Sequence, residues 1–280
     1  MARPMAVPSR RSQLGELFAA KDMLGLPFSL AKATFSNPAG ATAPDKRYPI
    51  IVLPGIGATD SSTAPLRYFL QRNGYSTEGW GLGRNLGGRG MINELDELSA
   101  SWDVDRTKVH NGEGEVPALC DRMLQRVERR VSELKSPVIL IGWSLGGYVA
   151  REVARELTQS VVGLITMGSP AFGGPKFTSA APIFKKRNID LDWIEAEVAK
   201  RFSTPIEQPI TTIFSKRDGV VGWQAAVDDL SPNIKHVEVD VSHIGLGLNA
   251  EVWNIVLNEL ESEAFSVAEP KAEKIELKTQ

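Results

Sequence analysis

From residue 48 onward, the sequence alternates between short runs rich in β-branched residues and longer segments with helical periodicity. The short runs are bounded by Pro or Gly and have the length of β-strands; they are Tyr48–Leu53, Tyr75–Trp80, Val138–Trp143, Val161–Met167, Ile210–Ser215 and Ile234–Val241. Helical spacing of apolar residues occurs between them, in Ala64–Arg72, Val116–Leu134 and Tyr148–Leu157. Strands separated by helices imply right-handed crossovers. The sequence therefore predicts an α/β fold, with a mainly parallel sheet of about six or more strands and helices on both faces.

Composition excludes several classes of protein. The 280 residues carry a formal net charge of −2, which argues against a nucleic-acid partner because binding phosphates requires a basic surface. Cys120 is the only cysteine, so neither an intramolecular disulfide nor a cysteine-based zinc site can form. No apolar run reaches the 18 residues of a transmembrane helix, and no secretory signal is evident. We expect a cytoplasmic protein without a transmembrane segment.

The charge distribution divides the chain into three parts. Residues 1–47 have a net charge of +4, against −6 for the remainder, and a short apolar stripe suggests a helix that packs on the core; the stripe consists of Leu14, Leu17, Phe18 and Leu24. Contact of this segment with a membrane surface is the weaker alternative, because the stripe is short and the basic residues precede it. Residues 48–260 form the predicted domain, and 261–280 read as a mobile, charged tail.

The most specific motif is Gly142-Trp143-Ser144-Leu145-Gly146-Gly147, which lies directly between a predicted strand and a predicted helix. This context is typical of a nucleophile elbow, in which a sharp turn exposes a serine hydroxyl. Side chains at Gly142 and Gly146 would collide with the neighbouring strand and helix. Ser144 is therefore the candidate nucleophile.

A serine hydroxyl needs a base within hydrogen-bond reach. Among the three histidines, His236 lies within an alternating strand and His110 within a polar loop, where structural or solvated roles are simpler. His243 follows the last predicted strand at its carboxyl end, where sites form in open α/β sheets. It is the candidate base.

The base in turn needs an acid that orients it. Asp218 stands three residues beyond the strand Ile210–Ser215. It also falls between serine and histidine in chain order, as the acid does in proteins with a nucleophile elbow. Asp240 and Asp228 are weaker substitutes, since Asp228 and Asp229 are predicted to lie in a helix and Asp240 ends the last predicted strand.

Several motifs together resemble bacterial α/β-hydrolases of the lipase and esterase type. They are Pro54-Gly55-Ile56-Gly57, Gly83-Arg84-Asn85-Leu86-Gly87, the serine motif, Ser215-Lys216-Arg217-Asp218-Gly219-Val220-Val221 and Ser242-His243-Ile244-Gly245-Leu246. The resemblance is particularly to the branch similar to PGAP1-type GPI-inositol deacylases. It implies a Ser144, Asp218, His243 triad and an oxyanion hole formed by the backbone N–H groups of Leu145 and Ile56. Because Pro54-Gly55 replaces the His-Gly of many lipases, Gly57 remains an alternative to Ile56.

An insertion at about residues 171–209 separates the predicted fourth and fifth strands. In this fold, such an insertion lies above the nucleophile, so we expect a small helical lid that binds the acyl group. The substrate-binding candidates are its residues Leu191, Trp193, Ile194 and Val198, on or beside an apolar helical stripe that ends at Phe202, together with Trp143 beside the serine. A surface helix that only packs on the core is the alternative.

These features predict a serine hydrolase that cleaves small-molecule or lipid esters with an apolar acyl group through an acyl-enzyme. The reaction requires neither a metal nor an organic cofactor. An acyltransferase or thioesterase with the same triad and a non-catalytic ligand-binding relative are the alternatives.

Overall fold

The computed structural model describes residues 5–16, 19, 47–92, 97–99, 101–102 and 110–266. Its centre is a six-stranded sheet with the order β2-β1-β3-β4-β5-β6, in which every pair of neighbours is parallel. The strands are β1 (Ile50–Leu53), β2 (Thr77–Gly79), β3 (Val138–Trp143), β4 (Val161–Met167), β5 (Ile210–Ser215) and β6 (Ile234–Val239). The predicted α/β fold is confirmed, and β3, β4 and β5 have the predicted bounds.

Helices cover both faces of this sheet. The helices are α1 (Arg10–Gly15), α2 (Asp60–Arg72), α3 (Glu115–Leu134), α4 (Leu145–Glu156), α5 (Ala181–Lys186), α6 (Leu191–Phe202), α7 (Trp223–Ala226), α8 (His243–Leu248) and α9 (Ala250–Leu260). Helices α3 and α4 share one apolar cluster with Leu53 and Leu140, while α2, α8 and α9 share a second cluster with Val52 and Ile141. Successive strand residues point to opposite faces, so both faces of the central strands are buried.

Helix α7 is shorter than the sequence suggests, and the predicted helix at Asp228 and Asp229 is wrong. The helix ends at Ala226 because the Asp228 carboxylate instead closes a turn, accepting hydrogen bonds from the backbone N–H groups of Leu230 and Ser231 at 2.8 and 3.0 Å. Aspartate competes with helical hydrogen bonding in this way when its side chain can reach nearby amides.

The structure describes the two expected extensions, residues 1–47 and 261–280, only in part. Leu17, Phe18 and Leu24 lie outside the described residues, while Leu14 in α1 is 60% exposed. At the other end, packing continues beyond residue 260, because Phe265 is buried in the second cluster. A Cβ atom on Gly163 in β4 would lie 2.6 Å from the Phe265 ring, so this glycine makes room for the aromatic side chain. Residues 267–280 lie outside the described part.

Within the described residues, none of the helices combines the length and hydrophobicity needed to cross a bilayer.

Candidate active site

Ser144 occupies a strained turn between β3 and α4. Its φ of 56° and ψ of −127° are unfavourable for a residue with a side chain. A Cβ atom on Gly142 would lie 2.3 Å from the Gly147 Cα, and one on Gly146 would lie 2.5 Å from the Leu53 carbonyl oxygen. Glycine is therefore required on both sides of the serine, as the sharpness of the turn predicts.

Asp218 and His243 form a buried hydrogen-bonded pair. The Asp218 Oδ2 lies 2.7 Å from the His243 Nδ1, and the two residues are 4% and 6% exposed. The other carboxylate oxygen of Asp218 accepts hydrogen bonds from the backbone N–H groups of Val220 and Val221, both at 2.8 Å. These bonds hold the carboxylate with one oxygen directed at the imidazole, which leaves the Nε2 side of the ring for another partner.

Trp143 connects the serine turn to the histidine. Its indole Nε1 donates a hydrogen bond to the His243 carbonyl oxygen at 3.2 Å, and the two rings lie 6.0 Å apart between centroids. Among the described residues, the Ser144 hydroxyl makes no hydrogen bond to the imidazole. Such bonds are often long before substrate binds and tighten in the reacting complex.

The alternative acids and bases have other partners. Asp228 pairs with Arg151 at 2.5 Å within the core, and the mostly exposed Asp240 carboxylate lies 3.6 Å from Arg217. His236 on β6 is exposed, and its Nε2 accepts a hydrogen bond from the Asp228 backbone at 3.2 Å. His110 lies 3.7 Å from the Glu113 carboxylate. None of these contacts involves the serine turn.

The loop after β1 approaches Ser144 from the side of Gly55. A Cβ atom on Gly55 would lie 3.2 Å from the Ser144 Cβ. The Gly57 N–H donates a hydrogen bond to the Asn85 carbonyl oxygen at 2.7 Å, so this amide is already engaged. No such bond from the Ile56 or Leu145 amide is present in the described part of the chain. The hydrogen bond to Asn85 thus occupies the Gly57 amide, the alternative donor to Ile56.

Asn85 holds this loop in place, a role that sequence reasoning missed. The fully buried side chain donates a hydrogen bond to the Pro54 carbonyl oxygen at 2.8 Å and accepts one from the Gly87 N–H at 3.0 Å. The available signal was the position of an asparagine inside the Gly-rich motif at residues 83–87.

A small apolar cavity of about 110 Å³ opens beside Ser144. Its walls come from the loop after β1, the helices α4, α5 and α6 and the loop after Asp218; they include Ile56, Leu145, Tyr148, Phe184, Ile194, Val198, Val220 and Val221. Burial raises the pKa of the Tyr148 phenol well above its usual value, with nearby Glu152 adding to the shift, so the hydroxyl remains neutral. The cavity therefore favours an uncharged, apolar group.

The insertion contributes Ile194 and Val198 to this cavity, whereas the other substrate-binding candidates lie elsewhere. Leu191 is buried in a separate cluster with Ala181 and Ile189. The Trp193 ring makes an edge contact with His110, at 5.6 Å between centroids. Trp143 contacts His243 rather than the cavity wall. Helix α6 turns about 100° per residue, so residues on or beside one apolar stripe can face different neighbours.

Comparison with known proteins agrees with this architecture. The sequence pattern of the alpha/beta hydrolase family matches residues 50–244, which is more than half of the chain. The chain belongs to the alpha/beta hydrolase family. The match begins at β1 and ends just after His243, so it includes Ser144, Asp218 and the insertion, but not α1.

Similarity to individual proteins is more distant. The pimeloyl-[acyl-carrier protein] methyl ester esterase of Shewanella woodyi is 35% identical over 86 residues, which span 30% of this chain and only 29% of the esterase. A candidate lipase from Acinetobacter baumannii AYE has a TM-score of 0.51 at 14% identity, over 79% of this chain and 85% of that protein. The monoacylglycerol lipase of Paleococcus ferrophilus has a TM-score of 0.48 at 12% identity, over 76% and 95%. The structural similarity to the Acinetobacter protein concerns the fold.

Proposed function

We propose that this alpha/beta hydrolase is a serine esterase that cleaves carboxylic esters with an apolar acyl group through an acyl-enzyme. The observation that carries the proposal is the buried Asp218–His243 hydrogen bond of 2.7 Å, formed beside a strained Ser144 that borders an apolar cavity. A buried carboxylate that fixes the tautomer of a histidine beside the serine turn is the arrangement that activates a serine nucleophile.

The reaction follows from the roles of these groups. His243 Nε2 accepts the Ser144 proton as the serine oxygen attacks the ester carbonyl, and Asp218 stabilises the resulting imidazolium. The N–H groups of Ile56 and Leu145 would stabilise the tetrahedral oxyanion. The imidazolium then donates its proton to the departing alcohol. The acyl group remains bound to Ser144 as an ester. Water activated by His243 hydrolyses this ester and regenerates the serine.

The character of the cavity supports an apolar acyl group. Ile194, Val198 and Val221 contribute hydrocarbon surface within the cavity that borders Ser144. The partial relative from Shewanella is named as an esterase, which favours ester rather than amide substrates. The insertion would then act as the lid over the acyl group. The closer resemblance to the deacylase branch remains a prediction from the sequence motifs.

An ester panel of graded acyl length tests the proposal on wild type, Ser144→Ala and His243→Ala. Either substitution should lower kcat by roughly 10³ to 10⁶ with the fold intact, and the double variant should be no worse, because the three groups act as a unit. Ser132→Ala, an exposed serine on α3, is the control and should retain full activity. Substantial activity in Ser144→Ala, once contaminating esterases are excluded, would contradict the proposal.

A further inference from the structure

The Glu16 carboxylate at the end of α1 contacts both loops that carry the acid and the base. Its Oε1 accepts hydrogen bonds from the backbone N–H groups of Gly219 at 2.9 Å and His243 at 2.7 Å. Its Oε2 accepts a longer bond from the Ile244 N–H at 3.3 Å. One side chain, distant in sequence, therefore connects the residue after Asp218 to the first turn of α8.

The His243 and Ile244 amides lie in the first turn of α8 and need hydrogen-bond acceptors from outside the helix. The first N–H groups of a helix have no partner within it, and a carboxylate there is favoured by the helix dipole. In α8, the Ser242 hydroxyl accepts from the Gly245 N–H at 3.1 Å, while Glu16 accepts from the two preceding amides. The Asp218–His243 hydrogen bond joins the same two loops. The Glu16 carboxylate therefore supports that bond by holding the backbone of both loops.

The segment that carries Glu16 is fitted closely to the acid loop. A Cβ atom on Gly219 would lie 2.4 Å from the Ser12 carbonyl oxygen, and one on Gly222 would lie 2.0 Å from the Ala6 carbonyl oxygen. Helix α1 itself buries none of its residues. Polar and close backbone contacts of the described residues therefore attach this helix to the domain.

We infer that Glu16 is a positioning residue for the catalytic base, holding the backbones of His243 and Gly219 so that the imidazole and the Asp218 carboxylate keep their relative geometry. This inference rests on the proposed function. It also gives the N-terminal segment a role in the reaction, although that segment lies outside the part of the chain that matches the family.

Glu16→Ala should lower kcat by about 10- to 100-fold with little change in KM, because small displacements of catalytic groups cost rates of this order. Glu16→Gln retains one side-chain carbonyl oxygen and should fall between wild type and Glu16→Ala. Arg10→Ala, an exposed residue of the same helix, is the matched control and should behave as wild type. Melting temperatures show whether each variant is folded at the assay temperature.

A spectroscopic readout separates positioning from stability. With only three histidines in the chain, the imidazole resonances of ¹⁵N-histidine-labelled protein can be assigned by substitution. In Glu16→Ala, the His243 ring signals should shift while those of His110 and His236 stay in place. Should Glu16→Ala be unfolded, the same comparison on Glu16→Gln decides the matter. Wild-type kcat or unchanged His243 signals in a folded variant would overturn the inference.

The spectra also distinguish this inference from the proposed function. If the wild type neither cleaves esters nor reacts with a fluorophosphonate at Ser144, the proposed function fails. A shift of the His243 signals in the Glu16 variants would still establish the positioning contact.

Discussion

At the scale of single residues, the geometry of the site depends on hydrogen bonds that leave each polar group few alternative partners. Asp218 directs one oxygen to His243 because the amides of Val220 and Val221 engage the other. The strained backbone conformation of Ser144 is sterically possible because Gly142 and Gly146 lack side chains that would collide with the surrounding backbone. Strain of this kind persists only where the surrounding structure over-determines it, and it concentrates at functional sites.

The choice of acid can be tested at this scale. Asp218→Asn should lower kcat by up to about 10⁴-fold, because the amide cannot stabilise the imidazolium and favours the wrong tautomer. Asp240→Asn, which changes a mostly exposed carboxylate at the end of the neighbouring strand, should leave kcat close to wild type. Steady-state kinetics on one ester measures both. If Asp218→Asn kept a wild-type kcat while Asp240→Asn lost most of its kcat, Asp218 would not be the acid.

At the scale of elements, α6 divides its side chains between two tasks. Ile194 and Val198 face the cavity beside Ser144, whereas Trp193 packs against His110 on a neighbouring loop. The N-terminus of the helix is fixed by the Asp190 carboxylate, which accepts hydrogen bonds from the amides of Asp192 and Trp193 at 3.1 and 2.9 Å. Such a cap stabilises a helix and sets where its first turn begins.

This division predicts different effects on acyl-chain preference. Each methylene buried in the cavity should contribute about 0.8 kcal/mol, so preference should rise from acetyl to longer esters until the cavity is full. Ile194→Ala should weaken kcat/KM for the longer esters more than for acetyl esters, by roughly 1–3 kcal/mol. Trp193→Ala is the matched control and should leave the chain-length profile unchanged. If wild type and Ile194→Ala had the same dependence of kcat/KM on acyl-chain length, Ile194 would not contact the acyl group.

At the scale of the whole molecule, a buried ion pair links regions distant in sequence. Arg151 on α4 pairs with Asp228 after α7, and its guanidinium lies 5.4 Å from the Phe202 ring centre at the end of α6. Burial alone would raise the pKa of the Asp228 carboxyl, but Arg151 and the hydrogen bonds from Ser231 and Leu230 outweigh it and lower the pKa below its usual value. The ionised carboxylate therefore stabilises the folded state.

The pH dependence of unfolding tests this pair. Because the folded pKa lies below that of the unfolded chain, about 3.9, the stabilisation is fully present above about pH 5 and is lost as pH falls through the folded pKa. Asp228→Asn should cost about 3–5 kcal/mol at pH 7, since it leaves a buried arginine without its counter-charge. Chemical unfolding at pH 7 and below pH 4 should show this difference shrinking in acid. Asp240→Asn, which changes a mostly exposed carboxylate, is the control. A difference that is constant with pH would contradict the assignment.

Features that depend on neighbours along the chain could be predicted from the amino-acid sequence. The bounds of β3 and β4 follow from short, mostly apolar runs, the first beginning after Pro137 and the second ending before Gly168. The turn at Ser144 follows from the steric demand for glycine on both sides. Such signals are local, because backbone sterics and strand or helix periods act over a few residues. The order of Ser144, Asp218 and His243 likewise limited the choice of acid and base before any contact was known.

Which of these groups come into contact depends on how the folded elements pack. The sequence left Asp228 open as an acid, and packing assigned it to Arg151 instead. Helical periodicity could not tell that Ile194 borders the cavity while Trp193 packs on a loop, since both faces of α6 have neighbours. Nothing local marks Glu16, because its partners lie more than 200 residues away along the chain. Contacts of this kind are fixed by how elements pack, so they emerge only when the whole chain is folded.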